Sequence, residues 1–544
     1  MRVLAVIPAR GNSKGIPRKN VRLLCGKPMI AYVIHNALAC NRITDTVVST
    51  DDDEIASVAA CWGAEVLMRD PKLAEDATTL DPVIADAVAR MEAQKNTAYD
   101  LVVTLQPTSP TLRAETLAGA LDSFEASGAD TLISVVNRPH LAWSKDPNGY
   151  FPLYENRVNR QQLPPQYQET GAFLITRRAF VTPGSRIGPR VSVFELPEDE
   201  AVDIDTKQDW IVSESILSKK TIVFRTDGHK ALGMGHIYHC LTLAYHLTGH
   251  DLLFVTKEQY PEGLQKLQDR FMPVRTVPTD EAFFDLLADL QPDIVVNDCL
   301  DTQAAYMRRL KKLVPRVVTI EDLGPGARYA DVVINALYEG RPSDPPHFYS
   351  GERYISLRDE FMTAAPKPFS ARAGELAILF GGTDPSNNTQ KAYRVAQRLH
   401  ADFPDLRMTV IAGLGYDCEA NGVVSRQELN ITVVRDVKRI SELLRQADLA
   451  ITSQGRTVYE LAVLGVPSIV LAQNEREQKH TFAQMKHGFL NLGLGCRVTE
   501  ETLENTLRWL IGSPQIRREM RENMLRCRLL EGTQREIRLI LGTY

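Results

Sequence analysis

Long apolar runs are missing from this sequence, and so are paired cysteines and any surplus of positive charge. No stretch approaches the ~18 apolar residues needed to cross a bilayer. The apolar segment that opens the chain stops at Pro8, too short for the core of a secretory leader. The eight cysteines (Cys25, Cys40, Cys61, Cys240, Cys299, Cys418, Cys496 and Cys527) stand singly with no CxxC spacing. They read as reduced, small apolar side chains rather than a disulfide framework. A formal net charge of -5 leaves no cationic excess to neutralise a phosphate backbone, which argues against a general nucleic-acid binder. The expected location is therefore cytoplasmic, with neither membrane nor nucleic acid as a partner. Fixed short repeats and low-complexity tails are absent as well.

What remains is an ordinary globular composition, 44% hydrophobic and 24% charged, in a chain of 544 residues that is too long for one core. Short β-branched runs alternate with helical patterns. Leu4–Ile7, Thr46–Ser49, Leu101–Leu105 and Thr131–Val135 read as strands; Met29–Ala39, Asp53–Trp62 and Leu80–Glu92 read as helices between them. Continuous apolar strands separated by helices predict an α/β fold, a parallel sheet covered on both faces. The rhythm restarts at Thr221 after a short polar junction, Ser218–Lys220. Strands are predicted at Leu252–Val255, Ile294–Val296, Val317–Ile320 and Val332–Ile334. After a Pro-rich interruption at Arg341–His347 the series resumes at Leu376–Phe380, Met408–Ile411, Leu449–Thr452 and Ser468–Leu471. The expected domains are residues 1–218, 221–368 and 369–544.

The first strand runs into Ile7–Asn20 (IPARGNSKGIPRKN), where two glycines let backbone approach a ligand and Arg10, Lys14, Arg18 and Lys19 surround it with positive charge. Such a loop at a strand's carboxyl end suits a triphosphate, although neither GxxxxGK[ST] nor GxGxxG is present. A solvated basic loop is the alternative on composition alone. Asp203-Ile204-Asp205 places two carboxylates on one side of an extended segment, a pattern that fits Mg²⁺ beside phosphate oxygens; Asp205 could equally cap the helix that follows. Gln106–Pro110 (QPTSP) ends a strand in a rigid polar turn.

These pieces, together with LCGKPMIAY, STDDDEIA, RQQLPPQYQETGAFLI and VDIDT in the same order, resemble the CMP-nonulosonate synthetases, the cytidylyltransferases of sialic, legionaminic and pseudaminic acids. The resemblance runs over about residues 1–216. It implies a doubly wound α/β domain of the nucleotide-diphospho-sugar transferase type, with CTP and a nonulosonic acid as substrates. It further implies that Arg10 and Lys14 hold the triphosphate, that Lys19 supports the transferring phosphate, and that Ala9, Asn20 and Arg69 line the nucleotide site. Gln106 would contact the sugar acid, Arg160 would reach its carboxylate, and Asp203 and Asp205 would hold Mg²⁺. The family is usually dimeric through a segment corresponding to residues 136–170.

In the second half, Phe224–Gly228 leads through Gly233-Met234-Gly235 to His236 at the opening of a helical pattern, Ile237–Leu247. A histidine beside the positive end of a helix tends toward the neutral form and can serve as a base; a capping or packed histidine is the bland alternative. His236 and His239 could share a helical face with His246 and His250 nearby, but no carboxylate or cysteine in the local sequence completes a metal site. Gly381-Gly382-Thr383 and Gly455-Arg456-Thr457 each end a strand with N–H-rich backbone, and Glu460 follows; two such turns suit a nucleotide diphosphate.

Residues 221–544 resemble the UDP-sugar hydrolase of pseudaminic acid biosynthesis, a relative of the two-lobed GT-B glycosyltransferases, through FRTDGHKALGMGHIYHCLTLA, IEDL, YISLRDEF, FGGTD and SQGRTVYELAVLGVP. By that resemblance His236 activates water against the anomeric carbon of a UDP-linked diacetamido sugar, no metal or other cofactor is needed, and Asp227 and Tyr238 lie near the sugar. The family usually has Arg at the position of His239 and an Asp-His/Ser-Tyr segment at Asn297–Asp301. A glycosyltransferase and an inactive nucleotide-binding scaffold are the competing readings. Both halves fit one pathway, which points to pseudaminic acid or a near isomer.

Overall fold

A computed structural model describes residues 1–11, 15–75, 77–229, 233–413, 415–435, 437 and 439–543. The chain divides into two compact units, Met1–Lys219 and Lys220–Tyr544, each of the α/β class.

The first unit is built on a seven-stranded sheet whose spatial order is Val191–Glu195, Thr131–Asn137, Tyr167–Arg177, Leu101–Leu105, Val3–Pro8, Asp45–Thr50, Glu65–Met68. Val3–Pro8 lies at the centre of the parallel part and is buried along its whole length, so both faces need cover. Met29–Ala39 and Ala114–Ser127 contribute Ile30, Ile34, Leu117 and Leu121 to one apolar layer; Leu80–Lys95 contributes Ile84, Val88 and Met91 to another. The expected parallel arrangement is broken at one strand. Tyr167–Arg177 runs antiparallel to both neighbours and carries an irregularity between Glu169 and Leu174, where Gly171 adopts φ +73°. The helix after the carboxylate pair is capped by Thr206 rather than by Asp205. Thr206 and Asp209 form a reciprocal capping box at the start of Lys207–Leu217.

The second unit holds two wholly parallel sheets. The first has the order Val274–Val277, Asp251–Lys257, Thr221–Thr226, Ile294–Asp298, Arg316–Ile320, Val332–Asn335, Phe348–Ser350. The second has the order Ile431–Arg435, Arg407–Ala412, Glu375–Leu379, Leu449–Thr452, Ser468–Ala472, Phe489–Leu494. These are the two lobes expected of residues 221–544, with one departure. The final helix, Gly532–Leu541, leaves the second lobe and docks on the first, where Arg316 donates to the carbonyls of Leu539 and Ile540 at 2.6 and 2.9 Å. Gly532 permits this approach, because any Cβ there would collide with the Ile355 backbone. Among the described residues, no helix is long and apolar enough to cross a membrane.

Candidate functional site

In the first unit, the carboxyl ends of the central strands open into a cavity of about 460 Å³. Its lining brings together Arg10, Lys19, Asn20, Arg69, Gln106 and Asp205, which lie far apart in sequence. Lys19 bridges two segments: its Nζ donates to the Ile204 carbonyl at 2.6 Å and to Asp205 Oδ1 at 3.1 Å. Gly15 seats the loop on the same segment, since a Cβ there would fall 2.5 Å from the Asp205 carbonyl oxygen. Asn20 is buried and its Nδ2 donates to the Arg10 carbonyl at 3.0 Å, so it shapes the loop from within. Arg69 is buried beside it, anchored to the Ser49 carbonyl. Burial pulls its guanidinium below the ordinary range, with Asp51 opposing and Arg10 adding to the pull. Two cations lining one cavity, one of them buried, favour an anion between them.

Ile204 is buried and its N–H is tied to the Thr108 carbonyl at 2.8 Å, which fixes the two carboxylates on either side. Asp203 is half-buried, and its Oδ1 has no hydrogen-bond partner. Burial pushes its carboxyl above the ordinary range; Thr108 opposes this and Asp205 adds to it. Gln106 and Asp203 meet at Gly171, where a Cβ would lie 3.1 Å from the Gln106 amide nitrogen and 3.5 Å from Asp203 Oδ2. Gly171 was not singled out from the sequence; only its place inside the matching segment hinted at it. Ala9 is buried between the lining residues Pro8 and Arg10, its N–H donating to the Ser49 carbonyl, and is not itself part of the cavity lining. Lys14 lies outside the described residues. Arg18 turns to the surface and pairs with Glu54. Arg160 is exposed, in a single turn at Arg160–Gln162, and is not part of the cavity lining.

In the second unit, the loops at the carboxyl ends of the strands converge on His236. It is the second residue of the helix Gly235–Tyr245, and its Nδ1 lies 2.5 Å from Asp298 Oδ1. The other oxygen of Asp298 faces His239 Nδ1 at 3.0 Å, and His239 Nε2 faces Glu536 Oε2 at 3.1 Å. The carboxylates absent from the local sequence thus arrive from residue 298 and from the last helix. Among the described residues, no group of histidine, cysteine or acidic side chains is arranged to hold a metal ion. Burial pushes the Asp298 carboxyl up, but the two histidines, His236 foremost, hold it well below the carboxylate range. Leu300 and Glu321 follow two neighbouring strands with φ +62° and +53°, a left-handed backbone costing about 1–3 kcal/mol each. Strain of this kind persists where surrounding structure enforces it, often at functional sites.

The second lobe faces this cluster. A Cβ on Gly382 would lie 3.8 Å from the Met234 backbone nitrogen, two residues before His236. Gly381 has φ +80°, and Gly382 and Thr383 pack against Gly413 and Gly415. Arg456, at the turn formed with Gly455 and Thr457, donates to Ser356 and lies 3.8 Å from Glu321. Arg476 reaches across to both oxygens of Asp301 and to the Glu321 carbonyl. Two predicted residues are otherwise engaged. Glu460 is buried and paired with Arg358, and both Asp227 oxygens are taken by Arg225, Thr256 and the Lys257 N–H. Tyr238 lies beneath Lys266 and Arg358. Asp298, Glu321 and Glu536 belong to the cluster and were not predicted. The IEDL segment drew attention to Glu321 and the departure at Asn297–Asp301 to Asp298, but nothing in the sequence pointed to Glu536.

The cytidylyltransferase family profile matches residues 4–173. N-acylneuraminate cytidylyltransferase A of Danio rerio is 34% identical over 220 residues, covering 39% of this chain and 50% of that protein. Pseudaminic acid cytidylyltransferase of Campylobacter jejuni is 34% identical over 217 residues, covering 38% of this chain and 93% of that protein. The chain thus spans half the length of the fish relative and nearly all of the bacterial one. The crystal structure of Acinetobacter baumannii MurG covers 59% of this chain and 99% of its own at 17% identity and a TM-score of 0.44.

Glu321 gives the second cluster a measurable signature. It is 4% exposed, and neither carboxyl oxygen has a hydrogen-bond partner. Burial pushes its pKa up to about 7, with Arg456 and His239 opposing. A raised carboxyl pKa means that the folded state holds a proton the unfolded state has released. Its stability contribution is therefore complete below about pH 4.5 and lost as pH rises through about 7. Denaturation midpoints of the full chain should fall between pH 5 and 8, and Glu321→Gln should flatten that slope. Identical slopes in parent and variant would contradict this.

Proposed function

We infer the chemistry of this chain from its lineage: through its first unit it belongs to the cytidylyltransferase family. It transfers CMP from CTP to a nine-carbon 2-keto sugar acid. The observation that carries this reading is the cavity in which Arg10, Lys19 and Arg69 face the Asp203–Asp205 segment. The anomeric hydroxyl of the keto acid attacks the α-phosphorus and gives up its proton to solvent, a new P–O bond forms, and the bond to pyrophosphate breaks in line. The protein has little covalent work to do; it positions both substrates and offsets negative charge as it moves to the leaving group. Arg10 and Lys19 supply that charge, with Lys14 from the same loop, while Asn20 and Arg69 hold the nucleotide and Gln106 the sugar acid. The partnerless Asp203 oxygen beside Asp205 fits Mg²⁺, which takes few protein ligands and keeps several waters; when bound it would neutralise phosphate charge. Pseudaminic acid or a near isomer is the preferred acceptor, because the second unit then serves the same pathway. Arg10→Ala and Asp203→Ala should each lower CTP-dependent pyrophosphate release by at least about 10²-fold while the fold persists. Near-parental release in either variant would refute the assigned roles.

The first unit also acts as a homodimer. Its hairpin Trp143–Asp146/Gly149–Pro152 leaves Trp143, Tyr150, Phe151 and Leu153 exposed, Tyr150 at 73%. A cluster of this size on one projecting ribbon is a candidate subunit contact. Sedimentation should give a dimer for the parent chain and a monomer for Tyr150→Asp; a monomeric parent would contradict the reading.

The second unit hydrolyses a UDP-linked amino sugar. His236 is the observation in favour: Asp298 is an ionised acceptor that requires a proton on Nδ1, so the neutral ring offers its lone pair at Nε2. That nitrogen takes a proton from water as the water oxygen bonds to the anomeric carbon and the C–O bond to UDP breaks. Backbone at Gly381–Thr383 and Gly455–Thr457 would receive the diphosphate. His236→Asn should reduce UDP release at least about 10²-fold. Release only upon adding an acceptor sugar would mark a glycosyltransferase instead, and no release from the parent would leave a binding scaffold.

A further inference from the structure

His239 lies one helical turn beyond His236 and is 4% exposed, yet neither of its ring nitrogens is in apolar surroundings. Nδ1 faces Asp298 Oδ2 at 3.0 Å from the strand Ile294–Asp298, and Nε2 faces Glu536 Oε2 at 3.1 Å from the last helix. Ionised carboxylates only accept hydrogen bonds, so with both in that form each ring nitrogen carries a proton and the ring is an imidazolium. The other groups that face it are Arg456 from the second lobe, Glu321 from the loop after Arg316–Ile320, and the Cys240 thiol, whose Sγ lies 3.6 Å from Asp298 Oδ2. Burial and Arg456 oppose a charge on His239, while Glu536 and Asp298 favour it. The balance pushes its pKa up to about 9.

We propose that His239 is a positioning residue: clamped as a cation between Asp298 and Glu536, it fixes Asp298 so that the remaining oxygen of that carboxylate holds His236 in the Nδ1–H tautomer. The proposal rests on the reading of His236 as the base of the second unit. The chain Glu536–His239–Asp298–His236 spans two elements of the first lobe and the helix docked on it. Each link satisfies the next. Glu536 offsets the cation, the cation offsets one side of Asp298, and Asp298 retains enough negative charge to orient His236 without remaining free to rotate. With one oxygen of Asp298 committed to His239, the other cannot swing away from His236, and a base whose third partner fixes it keeps its reactive lone pair pointed at one place. His239 itself touches no substrate in this account.

The test is made on the full chain labelled with ¹⁵N-histidine, without substrate, so that its outcome does not depend on hydrolysis. At pH 7.5 one histidine, lost in His239→Gln, should show both ring nitrogens protonated, and should keep them until pH approaches 9. A second, lost in His236→Asn, should show only Nδ1 protonated. In His239→Gln and in Glu536→Gln the second signal should move to a mixture of tautomers, whereas His239→Arg, which restores a fixed cation, should return it. If His239→Gln does not fold, Glu536→Gln carries the same comparison with the imidazole in place. Neutral His239 at pH 7.5, or an unchanged His236 signal in Glu536→Gln, would overturn the proposal. UDP release in Glu536→Gln should fall about tenfold or more in kcat with KM little changed. No UDP release from the parent chain would instead defeat the hydrolase reading, with the ring-nitrogen result standing on its own.

Discussion

One amino group organises the first site. Lys19 ties the loop after the central strand to the segment that carries Asp203 and Asp205, by a hydrogen bond to the Ile204 carbonyl and an ion pair with Asp205. Together with Gly15, which packs the same loop against the Asp205 backbone, it closes the cationic loop and the acidic segment on one cavity. Because Lys19 is only slightly exposed while Asp205 is mostly open, the pair holds geometry more than it stabilises the fold; an ion pair with one solvated partner is worth about 1 kcal/mol or less. Gly15 and Gly171 allow the backbone to come close enough for that closure, each where a side chain would crowd an acidic or amide group.

The second unit solves a related problem with the opposite burial. Asp298, His239, Glu321 and Glu536 are all deeply buried, and their charges are balanced by one another rather than by water. Such a network is costly unless each member is satisfied. Two members fall short: Glu536 leaves its Oε1 without a partner, and Glu321, with no cation at hydrogen-bond distance, has its carboxyl pKa pushed up to about 7 by burial. The docked helix Gly532–Leu541 is therefore part of the site and not merely its support, since it supplies the carboxylate that makes a cationic His239 tolerable.

Much of this was legible in the chain. Uninterrupted β-branched runs announced the buried strands; Leu101–Leu105 and Met29–Ala39 begin and end where the pattern predicts. Cations gathered after the first strand marked the first cavity. The rest depended on partners distant in sequence. Nothing near Tyr167–Arg177 announces that it runs antiparallel, because its neighbours in the sheet are set by long-range pairing. His236 and His239 looked like an incomplete metal pair because their carboxylates stand 62 and 297 residues away. Glu460 was placed with the nucleotide-binding turns, and its partner Arg358, 102 residues earlier, could not be read from the local sequence. Asp205 looked like a helix cap, but the adjacent Thr206 has the hydroxyl that reaches the N3 amide.

The central claim is that the first unit joins CMP to a nonulosonic acid. It is tested most directly by incubating the purified chain with CTP, Mg²⁺ and a panel of sialic, legionaminic and pseudaminic acids, then weighing the products by mass spectrometry. The account predicts a CMP-sugar for at least one acid, the pseudaminic isomer foremost, with one pyrophosphate formed for each. CTP left intact with every acid in the panel would contradict it.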